Sequence, residues 1–199
     1  MSIISEKIDY IIRMGPHPTL KKEGFLKSSR TFRRAITNCI QITNVQGSWN
    51  NYKDQGQFTV NLAVCFPEAA KLQGLFQVTD RPVESDCIVR QQIGNLMPVR
   101  KDYWWKIDSN SNLDKIAKEV TSAWLKYGKS WLDEYSTLEG ALRFSSSRMT
   151  PYWTSIFSLT LGSKENVPHY LSEAITEAAQ NPGFTSRLKE WGRSKGLRV

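Results

Sequence analysis

Residues 57–66 carry the cleanest alternation of side chains in the chain. Phe58, Val60, Leu62, Val64 and Phe66 take one side, and Gln57, Thr59, Asn61, Ala63 and Cys65 take the other. A period of two is the signature of a β-strand. Weaker versions recur at 30–37, where Phe32 and Ile36 alternate with polar neighbours, and at 39–48, where Ile40 and Ile42 oppose Gln41 and Thr43. Residues 87–93 and 102–107 supply two shorter candidates. Turn formers separate them, among them Trp49-Asn50-Asn51, Asp80-Arg81-Pro82 and Gly94-Asn95. Strict alternation implies one packed and one wetter face, which points to an antiparallel sheet of about five strands.

Helical spacing brackets these strands. Ile4, Ile8, Ile11 and Ile12 share a face of a short first helix, which Gly15-Pro16 should end and Pro18 should keep from resuming. From residue 111 the period lengthens again, with Leu113, Ile116, Val120, Trp124, Tyr127, Trp131 and Tyr135 three or four apart. Ser111 with Asp114 suggests a capping box there. Further helices are expected at 138–144, 151–161 (Thr150 as cap, Gly162 as stop), 167–180 and 184–195. Ser145–Ser147 with Arg148 reads as a flexible joint. The expectation is an α+β chain: a sheet domain over 1–136, with a helical extension over 137–199 packed on it.

Composition narrows the class. At 199 residues and 40% hydrophobic the chain can bury a sizeable core, which argues against disorder. No stretch reaches the ~18 apolar residues of a membrane span. Glu6, Lys7 and Asp9 interrupt the start, so no signal-peptide stretch is present. Cys39, Cys65 and Cys87 are odd in number and widely spaced, which suits free, buried thiols in a reducing, cytoplasmic setting.

The formal charge is +8 and unevenly spread. Lys21, Lys22, Lys27, Arg30, Arg33 and Arg34 face only Glu23 in their run, and Arg187, Lys189, Arg193, Lys195 and Arg198 crowd the end. Such clusters attract acidic partners or nucleic acid, though a solvated face is the plainer explanation.

Reactive constellations are scarce. His17 and His169 stand apart, each near prolines. No His/Cys spacing suits zinc, and no nucleophile elbow or glycine-rich dinucleotide loop occurs. Gly128-Lys129-Ser130 imitates the end of a phosphate loop, but it lies within the helical period, where backbone amides are already bonded. Glu84 and Asp86 share a strand face and suit a solvated strand end. No catalytic residue, metal or cofactor is assigned.

The polar side of the sheet is the better place to look. With the apolar side toward the helices, Gln41, Thr43, Thr59, Asn61, Arg90, Gln92, Trp104 and Lys106 gather on the other side. Asn44 and Gln46 continue the face of Ile40 and Ile42, so each needs a partner, expected to be backbone, or a ligand. The candidate binding residues are therefore Arg33, Gln41, Asn44, Gln46, Asn61, Arg90 and Trp104.

The order of the motifs GFLKSSRTFRR, IQITNVQGSWN, GQFTVNLAVCFP and DYWWKI resembles the bacterial family catalogued as domain of unknown function 4304, over roughly residues 5–135. The chain departs from the family pattern at Thr43-Asn44-Val45-Gln46, where Asn-Phe-Gln is usual, and at Ala63, where glycine is usual. The resemblance implies a bacterial origin and carries no activity.

Three functional readings remain. The leading one is a non-catalytic module that presents its sheet face or helical tail to a protein partner, with an immunity or accessory role in a toxin system as one version. The second is nucleic-acid binding through the two basic clusters. The third, which the residues favour least, is an enzyme whose site is assembled from distant groups such as Arg90, Asp102 and His169.

Overall fold

The computed structural model describes residues 2–73, 81–148 and 151–198. The architecture is α+β with an antiparallel sheet. The chain divides into two compact units, Met1–Phe66 with Thr79–Ser136, and Pro67–Val78 with Thr137–Val199.

The first unit opens with helix α1 (Ile3–Met14), capped by the Ser2 hydroxyl, with Ile4, Ile8, Ile11 and Ile12 buried. Contrary to expectation, a second helix, α2 (Pro16–Lys22), follows at once. Both prolines sit in its first turn, where a missing N–H removes no helical hydrogen bond, so they start this helix rather than forbid it. Gly15 makes the abrupt join possible, because a Cβ there would lie 2.5 Å from the Ala117 carbonyl oxygen.

Six strands follow among the described residues: β1 (Leu26–Ser28), β2 (Thr31–Ile36), β3 (Cys39–Gly47), β4 (Gly56–Cys65), β5 (Val89–Gln92) and β6 (Trp105–Ile107). The order is β1-β2-β3-β4-β5, with β6 pairing the same edge of β4 further along. Strands β5 and β6 are thus two halves of one edge strand, parted by an excursion over residues 93–104. The excursion begins in a single 3-10 turn (Ile93–Asn95). Its base is tight: a Cβ on Gly94 would lie 2.4 Å from the Lys101 carbonyl oxygen and 2.6 Å from Tyr103.

The helix expected from residue 111 is α4 (Leu113–Ala123), a π turn (Trp124–Gly128) and α5 (Lys129–Glu134) in direct succession. Its cap is Asn112, whose Oδ1 accepts from the Lys115 amide. Ser111 instead bonds Asp108, in the turn before the helix.

Helices α1, α2 and α4 through α5 cover one sheet face, whose core includes Phe32, Val45, Phe58, Val60, Leu62 and Trp124. The register corrects the expected grouping of side chains. Thr43 pairs with Leu62, and Gln41 with Val64, so both polar residues share the helix-covered face. Alternation within a strand says which residues go together, but not which parity meets the neighbour's apolar side. Nor is β4 wet on one side: Phe58 through Cys65 are all buried.

The second unit contains α3 (Pro67–Gln73), α6 (Leu138–Arg148), α7 (Pro151–Thr160), α8 (Val167–Glu177) and α9 (Pro182–Ser194). Tyr152 is its hub, meeting Phe184 and Trp191 edge-on. Trp191 donates to the Leu72 carbonyl (2.8 Å), using an acceptor that the end of α3 leaves free. The joint expected at Ser145–Ser147 lies inside α6, where Ser145 is buried and returns its hydroxyl to the Leu142 carbonyl. Gly162 does stop α7, at φ +76°. Thr150 and Asp80 lie outside the described residues. No described helix is long and apolar enough to cross a membrane.

Candidate functional site

The face of the sheet opposite the helices has two halves. At one end Ile42, Ala63, Cys65 and Cys87 form a small buried cluster with Ile40 beside it. All three cysteines are free and buried, as expected. Burial holds the Cys39 thiol up at about 11, and the hydrogen bond with Cys65, together with burial, raises Cys87 as well. Neither is a ready thiolate.

The other half is polar and organised in rows across the strands. Ser28, Thr31, Asn44, Asn61 and Gln92 lie in register on five successive strands. Asn44 Nδ2 donates to Thr31 Oγ1 (2.9 Å), and Asn61 Nδ2 donates to Gln46 Oε1 (2.6 Å). The partners of Asn44 and Gln46 are therefore side chains on neighbouring strands, not the backbone groups expected. Gln92 Oε1 accepts from the Tyr103 amide (2.8 Å), and Thr59 Oγ1 donates to the Tyr103 carbonyl (2.9 Å). These two residues clamp the 93–104 excursion at its return to the sheet.

The next row is Leu26, Arg33, Ile42, Ala63 and Arg90. Arg33 and Arg90 stand three strands apart, about 14 Å. Arg33 Nε is bound to the Pro82 carbonyl (2.7 Å), and exposed Arg90 pairs with Glu84 (3.5 Å). Glu84 and Asp86 belong to a 3-10 turn (Glu84–Asp86) rather than to a strand, and Asp86 accepts the Val83 amide. Trp104 precedes β6 and is half-buried, Lys106 is exposed, and Gln46 is exposed.

Gln41 belongs to neither row. It is 1% exposed on the covered face, where its Oε1 accepts from Arg34 Nε (2.8 Å) and its Nε2 donates to Ser136 Oγ (2.7 Å). Arg34 also reaches Asp133 (3.0 Å) and stacks over Phe25. This buried knot ties β2 and β3 to the end of α5.

The basic run near the start is partly spent on the fold. Arg30 is bidentate to Asp9, and Arg33 and Arg34 are engaged as above, which leaves Lys21, Lys22 and Lys27 exposed. Lys129 pairs with Glu23 (2.6 Å) at the start of α5, so Gly128-Lys129-Ser130 is helical, as expected. His169 pairs along α8 with Glu173 (3.4 Å). Asp102 is exposed in the excursion.

One feature carried no recognition signal in the sequence beyond its turn formers. The loop from Ser48 to Gln55 joins β3 to β4 and holds Trp49 at 93% and Tyr52 at 70% exposure. Its backbone is fixed. Asn51 donates to the Gln57 carbonyl (3.0 Å) and accepts the Gln57 amide (2.7 Å). Tyr52 and Gln55 exchange both backbone hydrogen bonds around Lys53, which is at φ +48°. Beside the loop lies a shallow groove of about 410 Å³ that includes Asn50, Gln55, Gln57 and Lys106.

Residues 16–134 match the model of the family described as domain of unknown function (DUF4304). The chain belongs to this family. No curated protein and no solved structure matches it. The DUF4304 match begins at α2 and ends with α5, so it takes in the whole sheet, the excursion and the Trp49 loop. It stops before α6 and leaves most of the second unit outside.

Proposed function

We propose that this DUF4304 chain is a non-catalytic protein-interaction module of the bacterial cytoplasm. Its contact surface is the corner of the sheet formed by the Trp49 loop, Gln46, Gln57 and Lys106, extending toward Trp104 and Arg90. The observation that carries this reading is Trp49, an indole left 93% exposed on a loop pinned by paired hydrogen bonds. Exposing so large an apolar ring costs solvation, and fixing it in advance removes the ordering cost from a later association. Aromatic anchors ringed by polar groups dominate protein interfaces. Asn50, Gln55, Gln57 and Lys106 line the groove beside the loop and supply polar groups, and the partner's matching element is an apolar pocket rimmed by hydrogen-bonding groups. The three buried free thiols suit a reducing compartment.

The test is affinity capture from the native host with the wild-type chain and with Trp49→Ala in parallel. One stoichiometric protein held by the wild type and lost from the variant is the expected result. Identical recovery with both chains, or no stoichiometric protein with either, defeats the reading.

A further inference from the structure

A second groove, of about 800 Å³, runs between α4 with the π turn and the end of the excursion. One wall is α4 and the π turn, contributing Lys115, Lys118, Ser122, Lys126 and Tyr127. The other is the returning excursion and β6, contributing Tyr103 and Trp105. Its size falls in the range of small-ligand sites, about 300–1,000 Å³.

Three features give it a chemical character. First, Lys115, Lys118 and Lys126 are exposed and make no ion pair among the described residues, although Arg30, Arg34, Arg90 and Lys129 do. The lining sets these three ammonium groups against two carboxylates, Glu119 and Asp114, the latter also accepting the Tyr10 hydroxyl (2.9 Å), so the groove keeps a net positive charge of one. Second, the accessible rings are held in place. The Tyr103 backbone is clamped by Gln92 and Thr59, and its ring meets Trp105 edge-on at 4.9 Å. Trp105 is itself stacked on Phe58 at 5.5 Å. Third, the π turn sets the phase of the wall. The Lys129 amide bonds the Trp124 carbonyl five residues back, so each residue of this turn rotates less than in an α-helix. Tyr127 therefore falls nearer the Lys115–Lys126 line than an unbroken α-helix would put it, with Lys126 5.3 Å from its ring.

We propose that this groove binds a phosphate-bearing flat ring, a nucleotide either free or within a single strand. The lysines meet the phosphates and Tyr103 and Tyr127 pack against the base. An acidic peptide would satisfy the lysines but would leave the two tyrosines without a purpose. The site is distinct from the Trp49 surface, so each stands or falls separately.

The experiment is calorimetric titration of the full chain at low salt, with ATP in one arm and a mixed-sequence single-stranded oligonucleotide in the other. Saturable binding in at least one arm is expected, weakened about fivefold or more by Tyr127→Ala. Lys118→Glu, at an exposed position, should weaken it as well, with folding checked by circular dichroism, while Trp49→Ala should not. ATP binding shows that a free nucleotide suffices; oligonucleotide binding alone shows that a strand is needed. The proposal is overturned if neither arm saturates, or if Lys118→Glu leaves affinity unchanged. It is also overturned if tripolyphosphate or polyglutamate competes as well as the nucleotide.

Discussion

On the helix-covered face of the sheet Gln41 sits between Arg34 and Ser136 with almost no exposed surface, whereas on the opposite face Gln46 accepts one hydrogen bond from Asn61 and stays exposed. The two glutamines lie on one strand, five residues apart. A covered amide must be matched fully, because an unpaired polar group there costs about 1–3 kcal/mol. An amide at the surface can keep capacity in reserve, since water fills what the protein does not. The same contrast holds for indoles. Trp124 is 1% exposed and donates to Thr43 Oγ1 (3.0 Å), while Trp49 stands clear of the fold. Side-chain type does not separate covered from exposed positions in this protein; the register and the loops do.

The indoles offer the largest test. Trp124→Ala should cost about 3–5 kcal/mol in chemical denaturation, combining a lost ring contact with Phe25, a cavity and an unmatched Thr43 hydroxyl. Trp49→Ala should fall within about 0.5 kcal/mol of the wild type. Equal losses would mean that Trp49 braces the fold, and the proposed contact surface would lose its anchor. The glutamines come next. Gln41→Ala should cost about 1–3 kcal/mol, because it leaves Arg34 Nε without its acceptor and takes a donor from both Ser136 and Asp133. Gln46→Ala should cost about 1 kcal/mol, since it removes the one hydrogen bond to Asn61 where Gln41 holds three. The reverse order would contradict the assignment of faces.

Much of this contrast was hidden in the sequence for a physical reason. The alternation of residues 57–66 located β4, and the longer period located the α4–α5 helix, because both elements bury a regular stripe. Strand β1 gave no signal: its three residues are all exposed, so no periodic burial exists to leave a pattern. Helix α2 was masked by Pro16 and Pro18, whose effect reverses between the first turn and the interior. Register was the decisive omission. Gln41 and Thr43 read as the wet side of β3 until their pairing with Val64 and Leu62 placed them in the core. The lysine groove was less legible still. Lys115, Lys118 and Lys126 look like an ordinary solvated helix face. Only the excursion, folded back through Gln92 and Thr59, supplies the opposite wall.

The smallest expected effect concerns a titratable group against the covered side. His17, on α2, has its ring 5.8 Å from Phe32, which belongs to the helix-covered face. Burial lowers its pKa from the ordinary 6.5, and Lys27 and Lys21 push it the same way. A lowered pKa in the folded state means that the unfolded chain takes up the proton first as pH falls. Between 6.5 and the folded value the unfolded state therefore holds more protons, and stability declines with falling pH. Above 6.5 both states are neutral at this residue and the contribution vanishes. Carboxylates titrate in acid as well, so the contribution has to be isolated as a difference. His17→Gln keeps a polar side chain without the charge, and the urea midpoint of the wild type should fall relative to this variant as pH drops below 6.5. A constant difference across that interval would mean that the ring is as well hydrated as in the unfolded chain. It would also place His17 outside the covered side, and the boundary between the two regions would have to be drawn closer to Phe32.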